Sequence, residues 1–380
     1  MRIVETLRKF FFLGNLLLLF PNLFIMNKGK RVLIYFAILA EILITLTNGV
    51  ICAYYKLYHH FSDIIYFNLF ILNSILLILL TCYHSERYKI MFTFLDTNHN
   101  FVTKDDMYLK NFEKKKKILL ATFVSYVVLE AILPLVKTRY FDIQGHGLPV
   151  FVSTILAINS TIYNFRVFFS FYIFYVLLYL ISEQLECMIR STVKEKHLVA
   201  TVSERTEAIE LDDAMARQYK NIISQWSDVF AFITEAINIF NKIFSLQMTL
   251  MFSSAIICIT LLLYDIAVIS SKNLFDNFIL TTYFIKVMTT HAQIFVLSKA
   301  GQRVHNNVEN LKRRVGKLLM RSLTNMQFYG ATKDLLQHIS TGRTKIQAFG
   351  AINIDMTLTP TFIMLYTSYT VIALQFNNVL

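Results

Sequence analysis

The sequence predicts an all-α, polytopic membrane protein with seven transmembrane helices, its N-terminus in the cytoplasm and its C-terminus outside. Three observations carry this. Apolar residues make up 55% of the 380-residue chain and charged residues only 16%, far from the balance of a soluble domain. The apolar residues come in blocks of about twenty or more, the length a helix needs to cross a bilayer core. Lys and Arg between the blocks fall almost wholly on one side, as the positive-inside rule requires.

Taken in order, residues 1–31 form a cytoplasmic N-terminal segment. Within it, residues 9–25 imitate a signal peptide, with an apolar core behind basic residues. No small-x-small cleavage site follows convincingly, and Pro21 breaks a spanning helix. The favoured reading is a short re-entrant or interfacial helix dipping into the inner leaflet, with a cleaved signal as the other. Residues 32–180 hold transmembrane helices 1 to 4, at about 32–54, 64–83, 118–136 and 149–180. The fourth is too long for one crossing and is expected to run on as helix in the cytoplasm. Residues 244–298 hold helices 5 and 6, at 244–266 and 274–298, and residues 357–380 hold the seventh, at 357–377. The segments before helix 1 and between helices 2 and 3, 4 and 5, and 6 and 7 carry 6, 8, 7 and 10 of the 37 Lys and Arg. The opposite side has only Lys56, Lys137, Arg139 and Lys272.

Two cytoplasmic stretches have an organisation of their own, an anchor region at 181–243 and another at 299–356. In the first, Ala208, Leu211, Met215, Tyr219, Ile222, Trp226, Val229, Ile233, Ala236 and Phe240 recur every three or four residues. This is an amphipathic helix with a seam made for other helices. Residues 183–213 are acidic. The second stretch is basic, with Arg303, Lys312, Arg313, Arg314, Lys317 and Arg321, and repeats helical spacing at Leu311, Val315 and Leu318. Opposite charges on the same side of the membrane invite these stretches to pack together.

The chain has no nucleophile elbow, His-Glu-x-x-His, phosphate-binding glycine loop or Cys/His cluster. The expectation is therefore no enzyme, no catalytic residue, no metal site and no cofactor. The net charge of +12 lies between membrane blocks, where anionic membrane lipid is its partner, so nucleic acid is not inferred. Cys52, Cys82, Cys187 and Cys258 show no paired spacing and read as buried thiols. A G-protein-coupled receptor has the opposite topology. The tripeptide Glu86-Arg87-Tyr88 ends helix 2 instead of helix 3, and the last span lacks Asn-Pro-x-x-Tyr. The sequon Asn159-Ser-Thr161 falls inside helix 4.

The last span, Met356 to Phe376, is uncharged yet rich in Thr and Ser and carries Gln375. Hydroxyls and amides are costly in hydrocarbon unless partnered or wetted. Ser368, Val371 or Ile372, and Gln375 share one helical face, which looks into water or into copies of itself. The segment Ser368-Tyr369-Thr-Val-Ile-Ala-Leu-Gln375-Phe376 resembles the terminal signature of insect gustatory receptors, Thr-Tyr, five apolar residues, then Gln-Phe. Tyr369, Gln375 and Phe376 match, Ser368 replaces Thr, and Thr370 is a polar departure. Gln347 to Asp355 resembles the family's turn into its last helix, and Asn241-Lys-Ile-Phe244-Ser245 its entry to helix 5. The resemblance covers the last 140 residues well, and the first 240 mainly in span count and orientation.

The resemblance implies a ligand-gated, non-selective cation channel in the plasma membrane of a sensory-neuron dendrite. Its anchor region would bind four subunits, alike or related, into a homo- or hetero-tetramer, with the last helix lining a central pore. Ser368, Val371, Gln375 and Phe376 would line the pore or its gate, with Val371 and Phe376 as apolar constrictions that close by dewetting. Asp355, Glu183 and Glu186 would offset basic residues along the path of the permeating cations. Polar residues inside spans are functional candidates by default. Those expected to line a pocket in the outer half of the bundle are Tyr66, Asn73, Glu130, Asn159, Tyr163, Arg166, Tyr264, Tyr283 and Lys286. Aromatic walls with a few hydrogen-bonding groups suit a small-molecule tastant, a sugar or a bitter compound. The alternatives are an odorant receptor subunit of the same superfamily, a secondary transporter, which lacks support from any internal repeat, or a G-protein-coupled receptor.

Overall fold

The computed structural model describes residues 167–190, 213–271, 277–321 and 326–376, with scattered helical positions within 32–50 and 71–83. The N-terminal segment at 9–25, the third span and the first half of the fourth lie outside the described residues. The chain divides into two compact units. One comprises Met1–Ile173, Leu246–Val296 and Leu358–Leu380, and the other Phe174–Ser245 and Leu297–Thr357. They are called the first and second units below.

Five continuous helices are described. Helix α1 spans Val167–Arg190, so the fourth apolar block does run on as helix past 180. Helix α2 spans Asp213–Ser271 and α3 spans Asn277–Arg321, 59 and 45 residues long. At 1.5 Å per residue these reach about 88 and 68 Å, against a hydrocarbon core of about 30 Å. Both are longer than one bilayer crossing, and α2 contains an apolar stretch long enough for one, within Lys220–Ala267. The anchor helix and fifth span read separately from the sequence are one helix, α2. Its buried stripe is Ile223, Trp226, Phe230, Ile233, Ile237, Phe240, Phe244, Met248, Met251, Ala255, Ile259 and Leu262, a step of three or four throughout. The expected seam is displaced by one residue at two places. Ile223 and Phe230 are buried where Ile222 and Val229 were expected, and those two are half-buried. On α3, Leu311, Val315 and Leu318 are buried as their spacing predicts.

Helix α4, Met326–Thr341, stops at Gly342, whose N–H closes the last turn on the His338 carbonyl at 3.0 Å. A Cβ at Gly342 would lie 3.1 Å from the Phe230 ring. A short ribbon, which the sequence reading did not anticipate, follows in this mostly helical fold. Strands β1 (Gln347–Ala348) and β2 (Ile352–Asn353) pair antiparallel, Gln347 with Asn353 and Ala348 with Ile352. The turn between them sets Phe349 at φ 52° and Gly350 at φ 68°. Glycine takes this conformation freely, whereas phenylalanine needs outside support. That support comes from α2 in the second unit. Ser245 accepts a hydrogen bond from the Phe349 N–H. Asn241 donates to the Lys345 carbonyl at 2.8 Å and accepts from the Gln347 N–H at 3.0 Å. On α3, Gly301 lets the ribbon's end approach closely. A Cβ there would fall 1.9 Å from the Ile354 carbonyl oxygen.

Asp355 then accepts from both the Thr357 N–H and hydroxyl, a local turn that leads into α5, Leu358–Phe376. Pro360 is tolerated because it falls in the first turn, where its missing N–H has no intrahelical partner to lose.

Candidate functional site

The last helix has two opposed faces. Leu358, Phe362, Tyr366, Thr370 and Leu374 recur every four residues and turn inward. All are buried except Tyr366, which is half-buried. Within the first unit, Phe362 meets Phe252 of α2 edge-on at 5.4 Å. Tyr366 packs on a cluster of Ile259 and Leu262 from α2 and Tyr283 and Val287 from α3. At 100° per residue, Ser368, Val371, Ile372 and Gln375 lie on the far side of the helix, and all four are exposed. The side chain of Phe376 lies outside the described residues.

Two stretches among the described residues are long and apolar enough to cross a membrane by length and composition, Val167–Arg190 and Lys220–Ala267. Helix α5 is not among them, although its 19 residues reach about 28 Å. Its threonines, Ser368, tyrosines and Gln375 lower its hydropathy, and an exposed polar row of this kind is poorly suited to lipid on every side.

Of the nine pocket candidates, Asn73, Tyr264, Tyr283 and Lys286 are described and all are buried. Tyr66, Glu130, Asn159, Tyr163 and Arg166 lie outside the described residues. Tyr283 contributes to the apolar cluster under Tyr366, so its ring is packing as well as a wall. Lys286 sits on α3 one turn before Thr289 and Thr290, whose hydroxyls donate to its carbonyl at 3.0 and 2.9 Å. Burying a charge is costly unless it is partnered.

The second unit holds a charged cluster seen in the sequence only as acidic and basic stretches. Arg303 of α3 donates to Glu183 at 2.7 Å and to Glu186 at 2.5 Å, both on α1. Its guanidinium lies 5.2 Å from the centre of the Tyr179 ring. Glu186 also pairs with Arg190 at 3.0 Å. Burial opposes ionisation of Glu186, but hydrogen bonds from Arg190 and Arg303 outweigh it and hold the carboxyl below the usual carboxylate range. Asn307 donates to the carbonyl and hydroxyl of Ser182, each at 3.0 Å. Glu183 and Glu186 thus offset Arg303 directly, and Asp355 accepts from Thr357. Cys187 and Cys258 are half-buried thiols, where fuller burial was expected. No cluster of metal ligands occurs among the described residues.

Comparison with known proteins places this geometry. A sequence comparison with curated proteins finds no match. The fold is similar to that of the insect olfactory receptor OR5 from Machilis hrabei in complex with eugenol, with a TM-score of 0.69 at 13% identity, covering 92% of this chain and 90% of that one. Another structure of the same receptor gives a TM-score of 0.64 with the same identity and coverage. The profile of a family described as 7tm chemosensory receptor matches residues 6–378. With nearly its whole length matched, the chain belongs to the 7tm chemosensory receptor family and is a multi-pass membrane protein.

Proposed function

We propose that this protein is a gustatory receptor that acts as a ligand-gated, non-selective cation channel. Four subunits, identical or related, surround a pore lined by α5. The N-terminus is cytoplasmic, seven helices cross the plasma membrane of a sensory-neuron dendrite, and the C-terminus is outside. A small tastant binds in the outer half of the bundle, among Asn73, Tyr264, Tyr283 and Lys286 and the further candidates Tyr66, Glu130, Asn159, Tyr163 and Arg166. Differential affinity for the open state drives gating. The observation that carries this is the pair of faces on α5. A single subunit buries the Phe362 row and leaves Ser368, Val371, Ile372 and Gln375 uncovered. Around a central axis this row becomes a ring of amides and hydroxyls between apolar constrictions, including Phe376. With no formal charge in the ring, selection among cations is loose.

The test is current through cells expressing the full chain, challenged with a panel of sugars and bitter compounds. Gln375→Ala and Val371→Ala are expected to change ion selection or basal leak while surface labelling is preserved. If both conduct like the parent, α5 is not the permeation path. An antibody tag after Leu380 is expected to be reached on intact cells. Uptake without channel-like conductance points to a transporter, and loss of response on G-protein blockade to a G-protein-coupled receptor.

A second reading is an odorant receptor subunit, favoured by the fold's similarity to an olfactory receptor solved with eugenol. Tyr369, Gln375 and Phe376 favour the gustatory assignment. Including eugenol and related volatile phenols in the panel separates the two.

A further inference from the structure

We infer that His291 is a positioning residue for gating, because its imidazole meets the Tyr366 ring and holds α5 against α3 in the closed channel. This rests on the channel reading above and names the contact through which a movement of α3 reaches α5. Tyr366 is where the inward face of α5 touches both α2 and α3, since it packs on Ile259 and Leu262 of α2 and on Tyr283 and Val287 of α3. His291 follows Val287 by one turn and Tyr283 by two, so it continues the same α3 face. Its ring meets Tyr366 edge-on, with centroids 6.3 Å apart and planes at 88°, the geometry that aromatic quadrupoles prefer.

The neighbouring contacts on α5 are of a different kind. Phe362 stacks edge-on against another phenylalanine, an apolar contact that is satisfied as it stands. The Thr370 hydroxyl turns back on the Tyr366 carbonyl at 2.7 Å, within α5 itself. At His291 the contact is incomplete. Nδ1 is buried and has no hydrogen-bond partner among the described residues. A buried polar atom without a partner raises the energy of the arrangement that contains it. The site thus combines a ring contact that favours the observed register of α3 and α5 with a nitrogen that gains from leaving it. A ring contact opposed by a smaller penalty holds one state without locking it.

The experiment is a double-mutant cycle on the full chain in cells, read as basal current and as the half-maximal concentration of whichever tastant evokes current, at matched surface labelling. His291→Ala and Tyr366→Ala are each expected to raise basal current and lower the half-maximal concentration by roughly 2- to 10-fold, the range of one aromatic pair. The double variant is expected to add nothing to Tyr366→Ala, which also removes the ring from the Ile259 cluster. His291→Phe keeps the edge-on ring without the orphaned nitrogen and is expected to restore basal current to the parental level or below. A merely structural role would lower surface labelling without this rescue. Additive shifts, absent shifts, or no rescue by phenylalanine in a parent that conducts overturn this inference alone. A parent with no current of either kind overturns the channel reading and this inference with it.

Discussion

In the second unit, α1 and α3 are tied by directional polar bonds: Arg303 to Glu183 and Glu186, and Asn307 to Ser182. Asn241 and Ser245 of α2 likewise hold the β-ribbon by its backbone. In the first unit the described contacts between helices are mainly rings and aliphatic chains. They include Phe171 on Phe252, Phe252 on Phe362, and the cluster around Ile259 and Tyr283. A buried polar bond also runs between α2 and α1, from Gln247 to Ser170 at 3.2 Å. The chemistry differs because directional bonds fix one register, whereas apolar contacts are less particular about small shifts. The second unit has rings as well, Phe174 on Phe240 and Phe244, so the contrast lies in the arginine and asparagine bonds added to them.

The largest effect should come from breaking the polar side. Arg303→Ala leaves the Glu183 carboxyl, 7% exposed, without its arginine, and breaking a buried pair in this way costs about 3–5 kcal/mol. Purified full-length protein is expected to unfold at a much lower temperature, or to be lost before reaching the surface. Removing the charges together, with Arg303, Glu183 and Glu186 replaced by Met, Leu and Leu, is expected to recover much of that loss. If Arg303→Ala unfolds like the parent, the second unit is not held as described.

Next is Gly301→Ala. The new methyl would overlap the Ile354 carbonyl, which as backbone has little room to yield. The expected loss is about 1–3 kcal/mol, measured by thermal unfolding, and Gly316→Ala is the control because nothing lies within 4 Å of a Cβ there. Equal behaviour of the two variants would mean that the ribbon is not seated against α3.

A smaller effect follows acidification. The Glu186 carboxyl is held below its ordinary range in the folded protein, so its contribution is present above the unfolded value and is lost as pH falls through the lowered folded value. Comparing unfolding of the parent and Glu186→Gln at neutral and acid pH isolates it. The glutamine variant is expected to be weaker at neutral pH and to lose less on acidification.

These features were unequally legible in the sequence. The stripe along α2 was readable from its spacing, but Ile222 and Ile223, and Val229 and Phe230, are adjacent apolar pairs. A period of 3.6 residues cannot choose between such neighbours until packing partners do. Leu311 and Val315 had no such competitors, and Leu318 was placed correctly beside Leu319. The Arg303 cluster was visible only as an acidic and a basic stretch, because its partners are 117 and 120 residues away. Gly350 signalled a turn, but the left-handed Phe349 carries no local signal, since it depends on Ser245 of α2. On α5, the mixture of Thr, Ser and Gln with apolar residues already marked an unusual face, and its inward partners Phe252 and His291 appeared only with the fold.

The smallest effect, and the sharpest limit on the comparison, lies in the polar tie between Gln247 and Ser170. Gln247 is fully buried and Ser170 nearly so, and in a soluble core losing such a bond would cost about 1–3 kcal/mol. Inside a bilayer the alternative state also finds polar partners, and interhelical hydrogen bonds measured by double-mutant cycles average about 0.6 kcal/mol, with a maximum near 1.7. The cycle built from Ser170→Ala and Gln247→Leu is therefore expected to give a coupling in that lower range by thermal unfolding. A coupling as large as the Arg303 effect would mean that the first unit is also pinned by a directional bond, and a shift of its helices on ligand binding would then have to break it.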